Sequence, residues 1–165
     1  ITDHANRVTT LTSEQLAGIY TGRIRNWQEL GGSDTPIVTA GREAGSGTRS
    51  TFEDLLGIRD RCWYANELDS AGAVLARVAV TPGAIGYVSF EVLDDTVAVL
   101  AIDGIEATEE NIKTGNYLLW QPFIMVTDGG INQQREEVRR LFEYLHSEEG
   151  QELIRAAGLI VPDLS

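Results

Sequence analysis

Basic residues are scarce in this chain. Thirteen Lys and Arg face 25 Asp and Glu, giving a formal charge of −12 and a pI near 4.5. Neutralising a phosphate backbone needs clustered cations, so a nucleic-acid surface is excluded and no nucleic-acid partner is expected. Any anion held here must be held by local groups, against the global field. Cysteine is nearly absent: Cys62 stands alone, so no internal disulfide can form, and its place beside Trp63 and Tyr64 predicts a small packed residue rather than a nucleophile. No apolar run approaches the roughly 18 residues that span a bilayer. The opening "ITDHANRVTT" has neither the basic start nor the apolar centre of a signal peptide. Histidine is limited to His4 and His146, and no His, Cys and carboxylate cluster has metal-ligand spacing. No metal or cofactor is therefore expected.

What is present suits a folded domain. With 165 residues, 42% hydrophobic and 23% charged, the chain can bury a core and has the size of one compact domain or one and a half lobes of something larger. Thr12 and Gln15 form a capping box that predicts a short helix over "EQLAGIY", with Gly22 available to end it. Asn26 and Glu29 repeat that signature ahead of a double glycine, predicting a single turn that sets Trp27 against the core. "PIVTAG" reads as a short buried strand. Ser70 predicts the cap of a helix over "AGAVLARVAV", stopped by Pro82 and Gly83. "AIGYVSFEVL" and "TVAVLAI" read as strands, and "GNYLLWQPFIMVT" as an apolar strand interrupted by Pro122. "RDRCWYANELDS" shows no usable period. Thr108 with Asn111 marks a brief helix; a long amphipathic helix follows from Asn132, and Ser147 caps a last one closing at Gly158. Strands alternate with helices, the pattern of an α/β layered domain with parallel strands.

The most informative stretch is "GREAGSGTRSTF". A strand, a glycine-rich turn and a helix aim unpaired backbone N–H groups at one point, where the macrodipole adds roughly half a positive charge. Gly45 and Gly47 let the backbone approach an oxyanion, Ser46 and Thr48 add hydroxyl donors, and Arg42 can fold over the same point with two charge-assisted contacts. The set reads as a cradle for a small tetrahedral oxyanion. Taken alone, the same residues also fit a plain N-cap and a plain turn. A nucleotide P-loop is excluded because Gly47, not Lys, precedes Thr48, and a dinucleotide fingerprint fails at Ser50.

Catalytic patterns are missing. A nucleophile elbow needs glycine where Ala44 stands, and His146 sits at a helix end, where it answers the dipole. Glu109 with Glu110, and Glu148 with Glu149, fall in first turns for the same reason, and Trp27, Trp63 and Trp120 are expected to pack a core. The chain is not expected to be an enzyme.

Four stretches in order, "LTSEQLAGIYTGRIRNWQELGG", "PIVTAGREAGSGTRSTFEDLL", "TPGAIGYVSF" and "TEENIKTGNYLLWQPFIMVT", resemble the phosphate-binding proteins of bacterial phosphate ABC importers over nearly the whole chain. The resemblance implies a periplasmic-binding-protein type II lobe, a mixed and mostly parallel sheet flanked by helices, from a two-lobed protein that closes on phosphate. It implies that Arg42, Ser46, Gly47 and Thr48 contact the anion, with Gly45 and Glu43 as further candidates. Relatives often carry an acidic residue where this chain has Ala44; a carboxylate that accepts the proton of hydrogen phosphate would reject sulfate, and Glu43 is the available group.

The resemblance further implies residues 1–116 as the second lobe and 117–165 as a crossover strand and C-terminal helices that normally return to a first lobe, whose N-terminal segment is absent. The expected partners are inorganic phosphate, ABC permease subunits, and either the missing lobe or another copy of the chain. The implied location is extracytoplasmic, in a periplasm or on a cell surface. A non-transport sensor or adhesin on the same fold, and sulfate, molybdate or tungstate as the anion, remain as alternative readings.

Overall fold

A computed structural model describes residues 1–161. The chain divides into two compact units, Ile1–Trp120 and Gln121–Ser165.

The first unit is built on a three-stranded parallel sheet. Its central strand, β2 (Val38–Arg42), pairs with β3 (Asn66–Leu68) on one edge and β4 (Ala84–Ile85) on the other. A smaller parallel pair joins β1 (Thr10–Leu11) to β5 (Ala101–Ile102), and Thr2 bridges antiparallel to Ile85 and Ala98, which makes the pairing mixed. Parallel neighbours require crossovers, and helices supply them. α2 (Gly47–Leu55) links β2 to β3, and α3 (Ala71–Val80) links β3 to β4.

Local chemistry fixes the helix ends. Thr12 accepts from the Gln15 amide, and the Gln15 side chain accepts from the Thr12 amide, closing the capping box of α1 (Ser13–Tyr20). Asn26 and Glu29 do the same for the 3₁₀ turn Trp27–Leu30. Ser70 caps α3 and Thr108 caps α4 (Glu109–Lys113).

Two apolar clusters make the core. One gathers Leu11, Ile19, Tyr20, Trp27, Phe52, Ile85 and Tyr87; the other packs Val74 and Val78 of α3 on Ala40 and Ala84 of the sheet. Phe52 stacks on Tyr87 at 4.0 Å, and Tyr20 meets Phe52 edge-on at 4.8 Å. Trp27 is wholly buried, its indole N–H donating to the Gly83 carbonyl at 2.9 Å.

Several expected strands are shorter than their sequences suggest. β4 stops at Ile85; residues 86–89 are irregular and a 3₁₀ turn follows at Phe90–Val92. The Tyr20 hydroxyl lies 3.2 Å from the Ala40 carbonyl and 3.4 Å from that of Ile85, where the next rungs would form, so the ladder ends there. "TVAVLAI" is a strand only at β5. Conversely, the aperiodic "RDRCWYANELDS" contains β3, an edge strand too short to show a period. Trp63 and Trp120 do not pack inside; they are 60% and 43% exposed. Trp63 is anchored by its backbone, its N–H donating to Tyr20 O and its carbonyl accepting from the Thr39 hydroxyl, while the indole faces out.

The strand expected over 115–127 does not form: residues 121–127 of the second unit have no ladder partner among the described residues, and Phe123, Ile124 and Val126 are exposed. A strand needs a neighbour as well as a propensity. A 3₁₀ turn at Ile131–Gln133 precedes α5 (Glu136–His146), which runs into α6 (Glu148–Ala156). Ser147 alone separates them. Its hydroxyl donates to Tyr144 O at 2.6 Å and accepts from the Gly150 amide at 3.2 Å. A Cβ on Gly150 would sit 1.9 Å from that carbonyl, so only glycine allows the close turn.

Replacing Trp27 by Phe should lower the stability of the first unit by about 1–3 kcal/mol, because the Gly83 carbonyl loses its buried donor and a void opens. Urea denaturation followed by far-UV circular dichroism measures it; an unchanged midpoint would deny Trp27 that role.

Candidate functional site

The C-terminal ends of parallel strands and the helix starts that follow them face one way, and ligand sites of open α/β sheets lie at that edge. Here the edge holds the junction of β2 and α2. β2 delivers Arg42 as its last residue. Glu43, Ala44 and Gly45 turn the chain, with Gly45 at φ +92°, a conformation that disfavours any side chain. Ser46 is buried and caps α2, its hydroxyl accepting from the Arg49 amide at 3.4 Å. The Gly47 and Thr48 amides have no acceptor among the described residues, as the first amides of a helix do not. Gly47 is exposed, and nothing would meet a Cβ there within 4 Å. Arg42, Gly45, Ser46, Gly47 and Thr48 thus share one turn. The described geometry offers an anion two backbone donors, two hydroxyls and the positive end of a nine-residue helix.

Glu43 belongs to the same turn and is engaged. Its carboxylate accepts from Arg42 Nε at 3.0 Å and Nη2 at 2.9 Å, a bidentate pair, and Nη2 also donates to Asp69 O at 3.1 Å. The hydrogen bond from Arg42 holds the Glu43 carboxyl below its ordinary range, and the same bond raises Arg42. One edge of the guanidinium, Nε and Nη2, is therefore engaged locally by Glu43 and the Asp69 carbonyl.

Beneath this turn lies a polar network with no counterpart in the sequence reading. Glu53, 5% exposed, accepts from Arg49 Nε at 2.8 Å, from the Tyr64 hydroxyl at 3.0 Å and from the Asp60 amide at 3.4 Å. Burial alone would push the Glu53 carboxyl up; the donors from Arg49, Tyr64 and Asp60 outweigh it, and the group sits below its ordinary range. Arg49 also donates through Nη1 to Arg42 O and to Glu67, both at 3.1 Å, and its guanidinium lies 4.5 Å over the Tyr64 ring. The only trace of this in the sequence is the i,i+4 spacing of Arg49 and Glu53 on α2. Tyr64 and Tyr87 come from distant segments and leave no local sign.

Other candidates fall outside the site. The Cys62 thiol donates to Ile58 O at 3.6 Å, and burial pushes it up to about 11, too high for a nucleophile. His4 contacts the Asp95 carbonyl, and His146 the Phe142 carbonyl of its own helix.

Residues 1–149 match the PBP superfamily domain. The chain is 37% identical over 156 residues to the phosphate-binding protein PstS of Bacillus subtilis, an alignment covering 89% of this chain and 48% of that one. It therefore spans about half the length of that relative. Among solved structures, a Clostridium perfringens protein with bound phosphate superposes with a TM-score of 0.85 at 38% identity, covering 97% of this chain and 66% of that one. An ABC-type phosphate transport receptor of Vibrio cholerae gives 0.84 at 33% identity, covering 98% and 67%.

Glu53→Gln should cost about 1–3 kcal/mol, since Arg49 loses its buried carboxylate. The sign with pH follows from the lowered carboxyl: its contribution is present above the ordinary glutamate value of 4.5 and is lost as pH falls through the folded value. Urea midpoints measured from pH 7 down to about 3 should fall less steeply in the variant. Parallel profiles would remove Glu53 as a source of acid sensitivity.

Proposed function

The chain belongs to the PBP superfamily, and from that premise we propose that it binds inorganic phosphate as part of the extracytoplasmic solute-binding component of an ABC phosphate importer. The observation that carries this reading is the β2–α2 junction. It is an oxyanion-sized turn with free amides and a neighbouring arginine, in a chain 38% identical to a protein solved with phosphate. In this reading Arg42 contributes a charged donor, Ser46 and Thr48 their hydroxyls, and the Gly47 and Thr48 amides complete the donor set, with Gly45 permitting the approach. Glu43 is the acceptor for a protonated oxygen. Its pairing with Arg42 keeps it ionised, which favours hydrogen phosphate over sulfate, because an acceptor facing an acceptor is repelled.

The task is capture and release, without covalent chemistry; aryl phosphates should not be turned over. Residues 1–116 act as one lobe, and 117–165 as the segment that returns to the rest of a longer protein or pairs with another copy. The exposed Phe123, Ile124 and Val126 support that division. ABC permease subunits are the partner to which bound phosphate is delivered. Among the described residues no helix is long and apolar enough to cross a membrane.

Titration calorimetry with inorganic phosphate tests the reading. Arg42→Ala should weaken binding by about 2–5 kcal/mol, thirtyfold or more, as expected for removing one partner of a desolvated charged contact. Unchanged affinity would remove Arg42 from the site. Competition by sulfate should be weak across neutral pH and should strengthen in Glu43→Gln; equal competition in both proteins would deny Glu43 its selective role.

A further inference from the structure

The network beneath the turn closes on the backbone of a single residue, Arg42. The Arg42 amide donates to the Tyr87 hydroxyl at 3.3 Å, and the Arg42 carbonyl accepts from Arg49 Nη1 at 3.1 Å. Between these ends the Tyr87 and Tyr64 hydroxyls lie 3.2 Å apart, Tyr64 donates to Glu53 at 3.0 Å, and Arg49 Nε donates to the same Glu53 oxygen at 2.8 Å. A phenol has one hydrogen. Tyr64 gives its hydrogen to Glu53, so Tyr87 must donate to Tyr64 and is left free to accept from Arg42. Donation therefore runs in one sense from the Arg42 N–H through two phenols to the carboxylate, and Arg49, donating to both, joins that carboxylate to the Arg42 carbonyl.

A second observation independently places the phenols against this strand. A Cβ on Gly41 would stand 2.3 Å from Tyr64 Cε1 and 3.0 Å from the Tyr87 hydroxyl. Glycine next to Arg42 is what admits both rings. They are also packed against neighbours: Tyr87 stacks on Phe52 at 4.0 Å, and Tyr64 lies edge-on to Tyr20 at 5.6 Å beneath the Arg49 guanidinium.

We propose that Tyr87, Tyr64, Glu53 and Arg49 are positioning residues for anion binding: they hold the amide of the peptide before the Arg42 Cα and the carbonyl of the peptide after it, and so fix the direction in which the Arg42 side chain and the following turn meet the ligand. None of them need touch the anion. The claim rests on the phosphate reading of the β2–α2 junction. The energetic logic is preorganisation, in which rigid donors lose less freedom when they bind.

The test uses the full 165-residue chain, with Tyr64→Phe and Tyr87→Phe, which delete only ring oxygens, and Arg49→Lys, which keeps the charge but not the fork. Inorganic phosphate is titrated by calorimetry, the Arg42 amide is followed by ¹⁵N NMR without phosphate, and folding is checked by urea midpoint. Tyr64→Phe should shift the Arg42 amide signal and speed its hydrogen exchange. It should also weaken phosphate binding about tenfold, the equivalent of one hydrogen bond. Arg49→Lys should do likewise despite its unchanged charge. A merely structural role would lower the urea midpoint and leave the affinity of the folded protein intact; affinities within twofold of the parent in the folded variants overturn the proposal. An unmoved Arg42 amide in both phenylalanine variants overturns it as well. If the parent chain gives no phosphate heat, the phosphate reading fails separately, and the amide measurements alone decide whether the ring holds the Arg42 backbone.

Discussion

The structure of the first unit depends on β2 having a parallel neighbour on each edge. Parallel pairing on both sides sends the carboxyl ends of three strands to the same side and forces each return through a helix. The first helix after the central strand must then start at that edge with its dipole pointing inward. Arg42, the capped turn and the free amides occupy their positions because β2 is central, and the same pairing brings Tyr64, just before β3, and Tyr87, just after β4, to the flanks of the same strand.

That arrangement answers an electrostatic difficulty. A chain of net charge −12 repels anions at long range, yet the turn offers uncharged donors and one arginine at short range. The local design does not raise the positive charge. Arg42 is already paired with Glu43, and Arg49 is consumed by Glu53, Glu67 and a carbonyl. The turn therefore presents oriented backbone dipoles and one locally paired arginine rather than a surplus of cations.

Much of this was legible in the sequence, and the limits were physical. Caps could be read because they are local: Thr12 with Gln15, Asn26 with Glu29, Ser46, Ser70, Thr108 and Ser147 each act within three or four residues. The Arg42–Thr48 turn could be read for the same reason. Strand lengths could not, because a ladder ends where its partner ends; the Tyr20 hydroxyl that closes the β2–β4 pairing comes from a helix 20 residues upstream of Ala40. "FIMV" has every strand propensity and, among the described residues, no ladder neighbour. Trp63 is apolar by composition yet exposed, because its backbone and not its indole is held. The network under Arg42 was invisible for a related reason: its members lie as much as 45 residues apart, and nothing in Tyr64 or Tyr87 alone distinguishes a phenol in a polar ring from one packed in a core.

The junction of α5 and α6 has a mechanical consequence. Ser147 is at once the last cap of one helix and the first cap of the next, and Gly150 lets the second helix turn directly against the Tyr144 carbonyl. There is no linker to absorb a displacement. Within the second unit the bend between the two helices is therefore held by the Ser147 hydroxyl, which bonds to the last turn of α5 and the first turn of α6. A longer connection would separate those two caps, and Gly150→Ala would drive a Cβ into the Tyr144 carbonyl, so the bend depends on both residues.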